Sequence, residues 1–345
     1  MTAIHDVAKA AGVSIATVSR ALNGTGEVSA ETRERVTRAA EKMNYRPHRA
    51  ARNLRRRQEG RAELSYSIGI LQGYAAALQN DPWTADVMAG IAAALRQHGY
   101  GIRLIACAWD GNVPAEIANR EVDGAILLGH GPVVKTISAL VPTVTIDSYD
   151  PALGAFGLVP DYRSGIRDAA ARLLAAGHRR IGLTCGAMKA SAPAGSLQFA
   201  DQVIAGCLEA HEAAGVPPPE GLPSMVCDGS PASGYEFGKQ LLADRQNRPD
   251  AVIGSDGALL GVICAAWELG LRIPQDVSLV GTDGVSMGAF FAPPLTAVDV
   301  QIARLGEIAT RIVVEGASRQ EFRQGVEVTP VRFVERASAR LGNKV

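Results

Sequence analysis

Residues 4–22 constrain this chain more than any other stretch. Ile4, Val7, Ala8 and Ala11 recur at helical spacing, Gly12 can take the left-handed conformation that ends a helix, and Ser14 stands where a side-chain cap opens the next one. In that second helix Val18 and Leu22 share one face. Ile15, Ala16, Thr17 and Arg20 then point elsewhere, as short and polar side chains that can meet base edges and phosphates. The pattern predicts a helix-turn-helix whose second helix reads DNA. Taken alone, two helices around a glycine also occur in ordinary helical proteins, so the rest of the chain must decide.

The charge distribution supports the DNA reading. The net charge is zero, yet residues 1–61 carry 13 Lys/Arg against 6 Asp/Glu and the remainder 22 against 29. A basic head on an acidic body suits a nucleic-acid partner, because Lys and Arg on DNA release counterions; the bland alternative is a solvated charge run. Ser29 can cap a third helix with Thr32, Val36, Ala40 and Met43 on one face, and Pro47 breaks it. The basic segment that follows holds one large apolar residue, Leu54, and is too short to persist alone as a helix, so it should fold on DNA.

From Ser67 the pattern becomes strand, helix, strand. Apolar runs at 67–71, 103–107, 123–128 and 142–147 read as buried parallel strands, with a helix at 87–95 ended by Gly99. A second unit opens after Asp161, with strands expected at 180–185, 222–227, 251–254 and 277–281 and helices between them. The expected fold is an all-α helix-turn-helix headpiece plus an α/β core of two doubly wound parallel-sheet subdomains. The closing segment, with runs at 294–298, 302–314 and 328–335, should cross back once to each.

Several classes are excluded by what is missing. There is no Gly-x-Ser-x-Gly elbow, no phosphate loop and no His/Cys cluster at metal spacing, and the 6 histidines are scattered. No enzyme, catalytic residue, metal or cofactor is expected. The 5 cysteines, at 107, 185, 207, 227 and 264, lack a Cys-x-x-Cys pair and read as small core residues in a reducing compartment. Asp6 and Lys9 interrupt any signal peptide and no apolar run is long enough to span a bilayer, so a cytoplasmic protein without membrane contact is expected. The competing class is a stand-alone small-molecule binding protein, which would need a signal peptide and no basic head.

The residues also carry a family resemblance. Asp6, Val7, Ala8, Ala11 to Ser14, Thr17 to Arg20, Leu22, Asn23, Val28, Ser29, Tyr45 to Pro47, Ala50 to Arg52 and Leu54 together resemble the headpiece of the lactose-repressor/galactose-repressor (LacI/GalR) family. In the body, Gly177 to Gly182, Ser255, Asp256, Gly261, Val277 to Asp283, Pro294 to Thr296 and Val334 to Ser338 are similar to the same family and to periplasmic sugar-binding proteins. The resemblance implies a sequence-specific transcriptional regulator, a repressor by preference. It implies a homodimer on a palindromic operator and a small effector held between the two core subdomains.

Its implied layout is a DNA-binding domain at 1–47, a hinge helix and linker at 48–61, and core subdomains at 62–160 with 294–322 and at 161–293 with 323–345. The DNA contacts it implies are Ile4, Ser14, Ile15, Ala16, Thr17, Ser19, Arg20, Asn23, His48, Arg49, Arg52 and Leu54, with Leu54 wedged into the minor groove. His48 departs from the family's usual asparagine. The implied effector residues are Asp81, Trp83, Asp161, Gln198, Val203, Asp256 and Asp283. Val203 stands where the family carries a clamping arginine, so a neutral hydroxylated ligand, sugar or nucleoside-like, is expected over an anionic one.

Overall fold

The computed structural model describes residues 4–23, 28–43, 64–73, 81–184, 195–219 and 229–342. They fall into two compact units, residues 1–65 and 66–345. In the first unit α1 (Ile4–Ala11), α2 (Ile15–Asn23) and α3 (Ala30–Lys42) bury Val7, Ala8, Ala11, Val18, Ala21, Val36 and Ala40 against one another. Gly12 ends α1 at φ 64°, and the Thr17 N–H donates to Ser14 Oγ at 3.1 Å as α2 begins. Ser29 caps α3 through the Thr32 N–H at 3.2 Å. One bond is invisible in the sequence: Arg35 Nε donates to the Ala11 carbonyl at 3.0 Å, tying α3 to the end of α1.

The second unit opens with β1 (Ser67–Gln72), α4 (Pro82–His98), β2 (Gly101–Ala106), α5 (Ala115–Ala118), β3 (Gly124–Leu128), α6 (Val133–Leu140), β4 (Thr143–Ile146), β5 (Ser148–Tyr149) and β6 (Phe156–Pro160). It continues with α7 (Tyr162–Ala175), β7 (Ile181–Thr184), β8 (Leu197–Gln198), α8 (Phe199–Ala213), α9 (Pro231–Ala243), β9 (Ala251–Gly254), α10 (Asp256–Glu268) and β10 (Ser278–Gly281). The chain closes with β11 (Thr296–Asp299), α11 (Ile302–Arg319), β12 (Gly325–Thr329) and β13 (Arg332–Val334). Two sheets result. The first is all parallel in the order β12-β6-β4-β3-β1-β2; the second runs β13-β11-β10-β9-β7, with only β13 antiparallel.

Such sheets must be covered on both faces, which is why their strands are nearly continuous apolar runs. On one face of the first sheet, Leu71, Ile105, Leu127, Val133, Val134 and Ile137 form a buried cluster. On the other, α4 and α11 approach so closely that a Cβ on Gly90 would stand 1.9 Å from the Ala303 carbonyl oxygen. In the second lobe Phe237, Val252, Leu259, Val262 and Leu279 are packed together.

The closing segment departs from the expected boundaries. β11 pairs with β10, so residues 294–299 belong with the second sheet rather than the first. The expected single strand at 328–335 is two strands in different sheets, because Pro330 has no N–H to continue a ladder. Thus β12 lies beside β6 in the first sheet, and 323–329 does not belong with the second. The chain crosses between lobes at 160–161, 299–302 and 329–332, not at Pro293. β6, fully buried, was not anticipated. Cys107 and Cys207 are buried as expected, whereas Cys264 is exposed on α10. Cys185, Cys227, the strand expected at 222–227 and the basic segment 48–61 lie outside the described residues.

Candidate functional sites: a reading helix and an interlobe cleft

On α2, Val18 and Ala21 face the three-helix core while Ser14, Ile15, Ala16 and Arg20 are exposed, Ile15 at 46%. The exposed isoleucine offers an apolar contact and the exposed arginine a cation to a groove. Ile4, Thr17 and Ser19 are half-buried at the rim, and the Ser14 and Thr17 hydroxyls hydrogen-bond each other at 2.9 Å. The Asn23 side chain, His48, Arg49, Arg52 and Leu54 lie outside what the structure describes.

In the second unit the C-terminal ends of strands from both sheets converge around Tyr162. Its hydroxyl donates to Asp147 Oδ1 at 2.7 Å, joining the first residue of α7 to the end of β4. Burial, opposed by this hydrogen bond and aided by the Asp81 charge, pushes the Asp147 carboxyl up to about 6. Burial and the Asp147 charge likewise raise the Tyr162 phenol. Across the cleft Asp256 and Asp283 clasp each other. The Asp256 N–H donates to Asp283 Oδ2 at 2.8 Å, and the Asp283 N–H donates to Asp256 Oδ1 at 3.1 Å. Burial raises both carboxyls, and the Asp256 charge adds to the rise at Asp283.

The expected effector residues divide by this geometry. Asp81 caps α4, accepting from the Trp83 N–H at 3.1 Å, the Thr84 N–H at 3.2 Å and the Thr84 hydroxyl at 2.6 Å. Asp161 caps α7 through the Ser164 N–H at 3.1 Å. Gln198 Nε2 donates to the Tyr149 carbonyl at 3.3 Å, within a two-stranded ribbon of β5 and β8 that joins the lobes. Asp256 is 0% exposed and its second oxygen accepts from the Val285 N–H at 2.9 Å, so it supports Asp283 and presents no ligand face. Val203 is likewise fully buried.

Asp147 and Tyr162 were missed. In the sequence Asp147 closes an apolar strand-like run, and nothing local marks its left-handed φ of 71° or its partner 15 residues on.

Several of the unsatisfied polar atoms lie at these strand ends or at the start of α4. Gln72 Oε1, Trp83 Nε1, Ser148 Oγ, Thr184 Oγ1 and Ser255 Oγ are buried without a hydrogen-bond partner. Buried polar groups normally find partners, so these atoms have bonding capacity that a bound polar molecule could use. The lobes also meet away from Tyr162, where the Ser286 N–H and hydroxyl donate to the Asp86 carboxylate at 2.7 and 2.8 Å. Among the described residues, no group of His, Cys, Asp and Glu is placed to hold a metal ion, and no helix is long and apolar enough to cross a membrane.

A helix-turn-helix head on one chain with a two-lobed cleft defines a ligand-responsive DNA-binding regulator. Residues 3–48 match the bacterial regulatory proteins of the lacI family, and residues 170–339 match the periplasmic binding protein-like domain. The HTH-type transcriptional repressor PurR of Proteus mirabilis (strain HI4320) is 34% identical over 98% of this chain and 97% of its own length. PurR of Klebsiella pneumoniae (strain 342) is 33% identical with the same coverage. The chain belongs to the lacI family of transcriptional repressors. Among solved structures, the regulator CelR in complex with cellobiose matches 98% of this chain and 100% of its own, with a TM-score of 0.67 at 25% identity. The Lac repressor dimer bound to operator and the anti-inducer ONPF matches 98% of each chain, with a TM-score of 0.66 at 26% identity.

Proposed function

We propose that this repressor answers to a neutral, hydroxylated effector, a sugar or nucleoside-like molecule, bound between the lobes of the second unit. The observation that carries the reading is the cleft's chemistry. Its converging side chains are carboxylates, hydroxyls, amides and aromatic rings, with Asp147 and Asp283 as acceptors supported by Tyr162 and Asp256. Asp147 and Asp283 are buried carboxylates whose charge would repel an anion, which favours a neutral ligand. The cellobiose held by CelR is a ligand of this chemistry.

The repressor works as a homodimer in the cytoplasm, as the Lac repressor dimer on its operator suggests. One reading helix covers only a few base pairs, and a two-fold pair matches a palindrome. Ile15, Ala16 and Arg20 reach base edges; Arg49 and Arg52 contact phosphates; Leu54 enters the minor groove. Calorimetry on the full chain with cellobiose, ribose, inosine and glucose 6-phosphate tests the effector class. Saturable binding of a neutral probe that Asp283→Ala weakens is expected; binding of the sugar phosphate alone overturns the reading. A stand-alone binding protein is tested by removing residues 1–61, which should abolish specific operator binding in a mobility-shift assay.

A further inference from the structure

Of the hydrogen bonds that Asp81 accepts at the start of α4, the shortest fixes the orientation of a side chain on another element. The Thr84 hydroxyl gives its one proton to Asp81 Oδ2 at 2.6 Å, so towards any other neighbour it can only accept. What it accepts is Gln72 Nε2 at 2.9 Å, from the last residue of β1. The Gln72 amide is thereby held with its nitrogen towards α4, and its oxygen is the open end of the relay. That oxygen is buried and has no hydrogen-bond partner.

A residue that merely anchored α4 would need a donor and nothing more. Leaving a buried oxygen unpaired costs about 1–3 kcal/mol, and turning the amide over offers no escape, because Oε1 would then face the Thr84 oxygen, acceptor against acceptor. The position suits a ligand. Gln72 ends β1 where the strand order reverses, with β2 on one side and β3 on the other, and wound sheets take ligands at the carboxyl ends of such a reversal. The Asp81 charge is felt at Asp147, so this corner borders the end of β4, where Tyr162 joins the lobes. Gly73 and Asp81 are half-buried, which sets Gln72 at the rim of the core rather than at its centre.

We propose that Gln72 determines specificity in the effector cleft, its Oε1 accepting one hydroxyl or N–H of the effector, with Thr84 as the residue that positions it. The effector class is thereby narrowed to molecules that place a donor at the end of β1; an ether, a carbonyl or a methyl group there leaves the oxygen buried and unpaired. This rests on the cleft being the effector site, and the test separates the two ideas. Calorimetry is run on the full chain with cellobiose, ribose and inosine. It is repeated with derivatives of each probe that binds, in which one hydroxyl at a time is replaced by hydrogen or, for inosine, the ring N–H by N-methyl. One derivative should bind the wild-type chain about tenfold or more weakly than its parent. In Gln72→Met that one penalty should shrink to within about threefold while the others persist. Thr84→Val keeps the side-chain shape but frees the amide to turn, and should shrink the same penalty. Each penalty is a ratio of two affinities for one protein, so it survives a loss of folded fraction that would lower both. If a probe binds and Gln72→Met leaves every penalty as in the wild type, or weakens parent and derivatives alike, the role of Gln72 is refuted while the effector site stands. If none of the three probes binds the wild-type chain, both fall.

Discussion

Asp147 joins three properties seldom found together: a left-handed backbone, a raised carboxyl pKa and a hydrogen bond between lobes. A carboxyl whose folded pKa of about 6 exceeds its unfolded value binds more protons folded than unfolded between the two. Its charged form therefore opposes folding above pH 6, and stability rises as pH falls through about 6 toward 4. The raised carboxyls of Asp256 and Asp283 act in the same direction. Asp147→Asn removes the charge, tolerates the left-handed backbone and keeps an acceptor for Tyr162. In thermal melts without effector it should raise the midpoint by a few degrees at pH 7.5 and by less at pH 5, as expected for about 1–2 kcal/mol. An equal shift at both pH values would refute the charge argument. On α2, Arg20→Ala should weaken operator binding about tenfold, whereas exchanges at Ile15 should change which operator bases are preferred; competition mobility shifts separate the two outcomes.

At the scale of elements, the closest helix contact shows what patterning conveys and what it omits. A Cβ on Gly90 would meet the Ala303 oxygen at 1.9 Å and one on Gly306 the Val87 oxygen at 2.5 Å, so α4 and α11 must separate if either glycine gains a side chain. Gly90→Ala should destabilise the second unit by about 1–3 kcal/mol despite the better helix propensity of alanine, measurable by urea unfolding. The apolar periods of both helices were legible; their partnership was not, because α4 and α11 are separated by the whole second lobe. The same distance explains the misassigned closing segment. An apolar run announces a strand, but which sheet receives β11 or β12 depends on neighbours contributed from far along the chain. Caps behave oppositely: Ser14 and Ser29 were readable as caps because their partners lie within three positions, whereas Asp81, expected as an effector residue, caps α4. Asp256 and Asp283 were found at strand ends, but only the assembled sheet shows which supports the other.

For the whole molecule the question is how an occupied cleft reaches the operator. The lobes are joined by the three crossings, the β5–β8 ribbon, the Asp147–Tyr162 bond and the paired bonds from Ser286 to Asp86. The last of these is the one most easily weakened, since Asp86 lies on the outer part of α4 and Asp86→Ala removes two hydrogen bonds without opening a core. Each is worth about 0.5–1.5 kcal/mol, so the closed arrangement should lose about 1–3 kcal/mol relative to an open one. An effector that binds the closed arrangement then binds more weakly, by up to about 150-fold. If closure also sets operator affinity, the ligand-free variant must move away from the state that the effector favours, whichever sign regulation takes, because coupling between two binding sites is reciprocal. Saturating effector should bring the variant back to the wild-type operator affinity. Anisotropy titrations of labelled operator, with and without a bound probe, measure all of these quantities. A variant that loses effector affinity while its operator affinity stays unchanged in both conditions would show that closure at Asp86 and Ser286 is not what the DNA-binding head responds to.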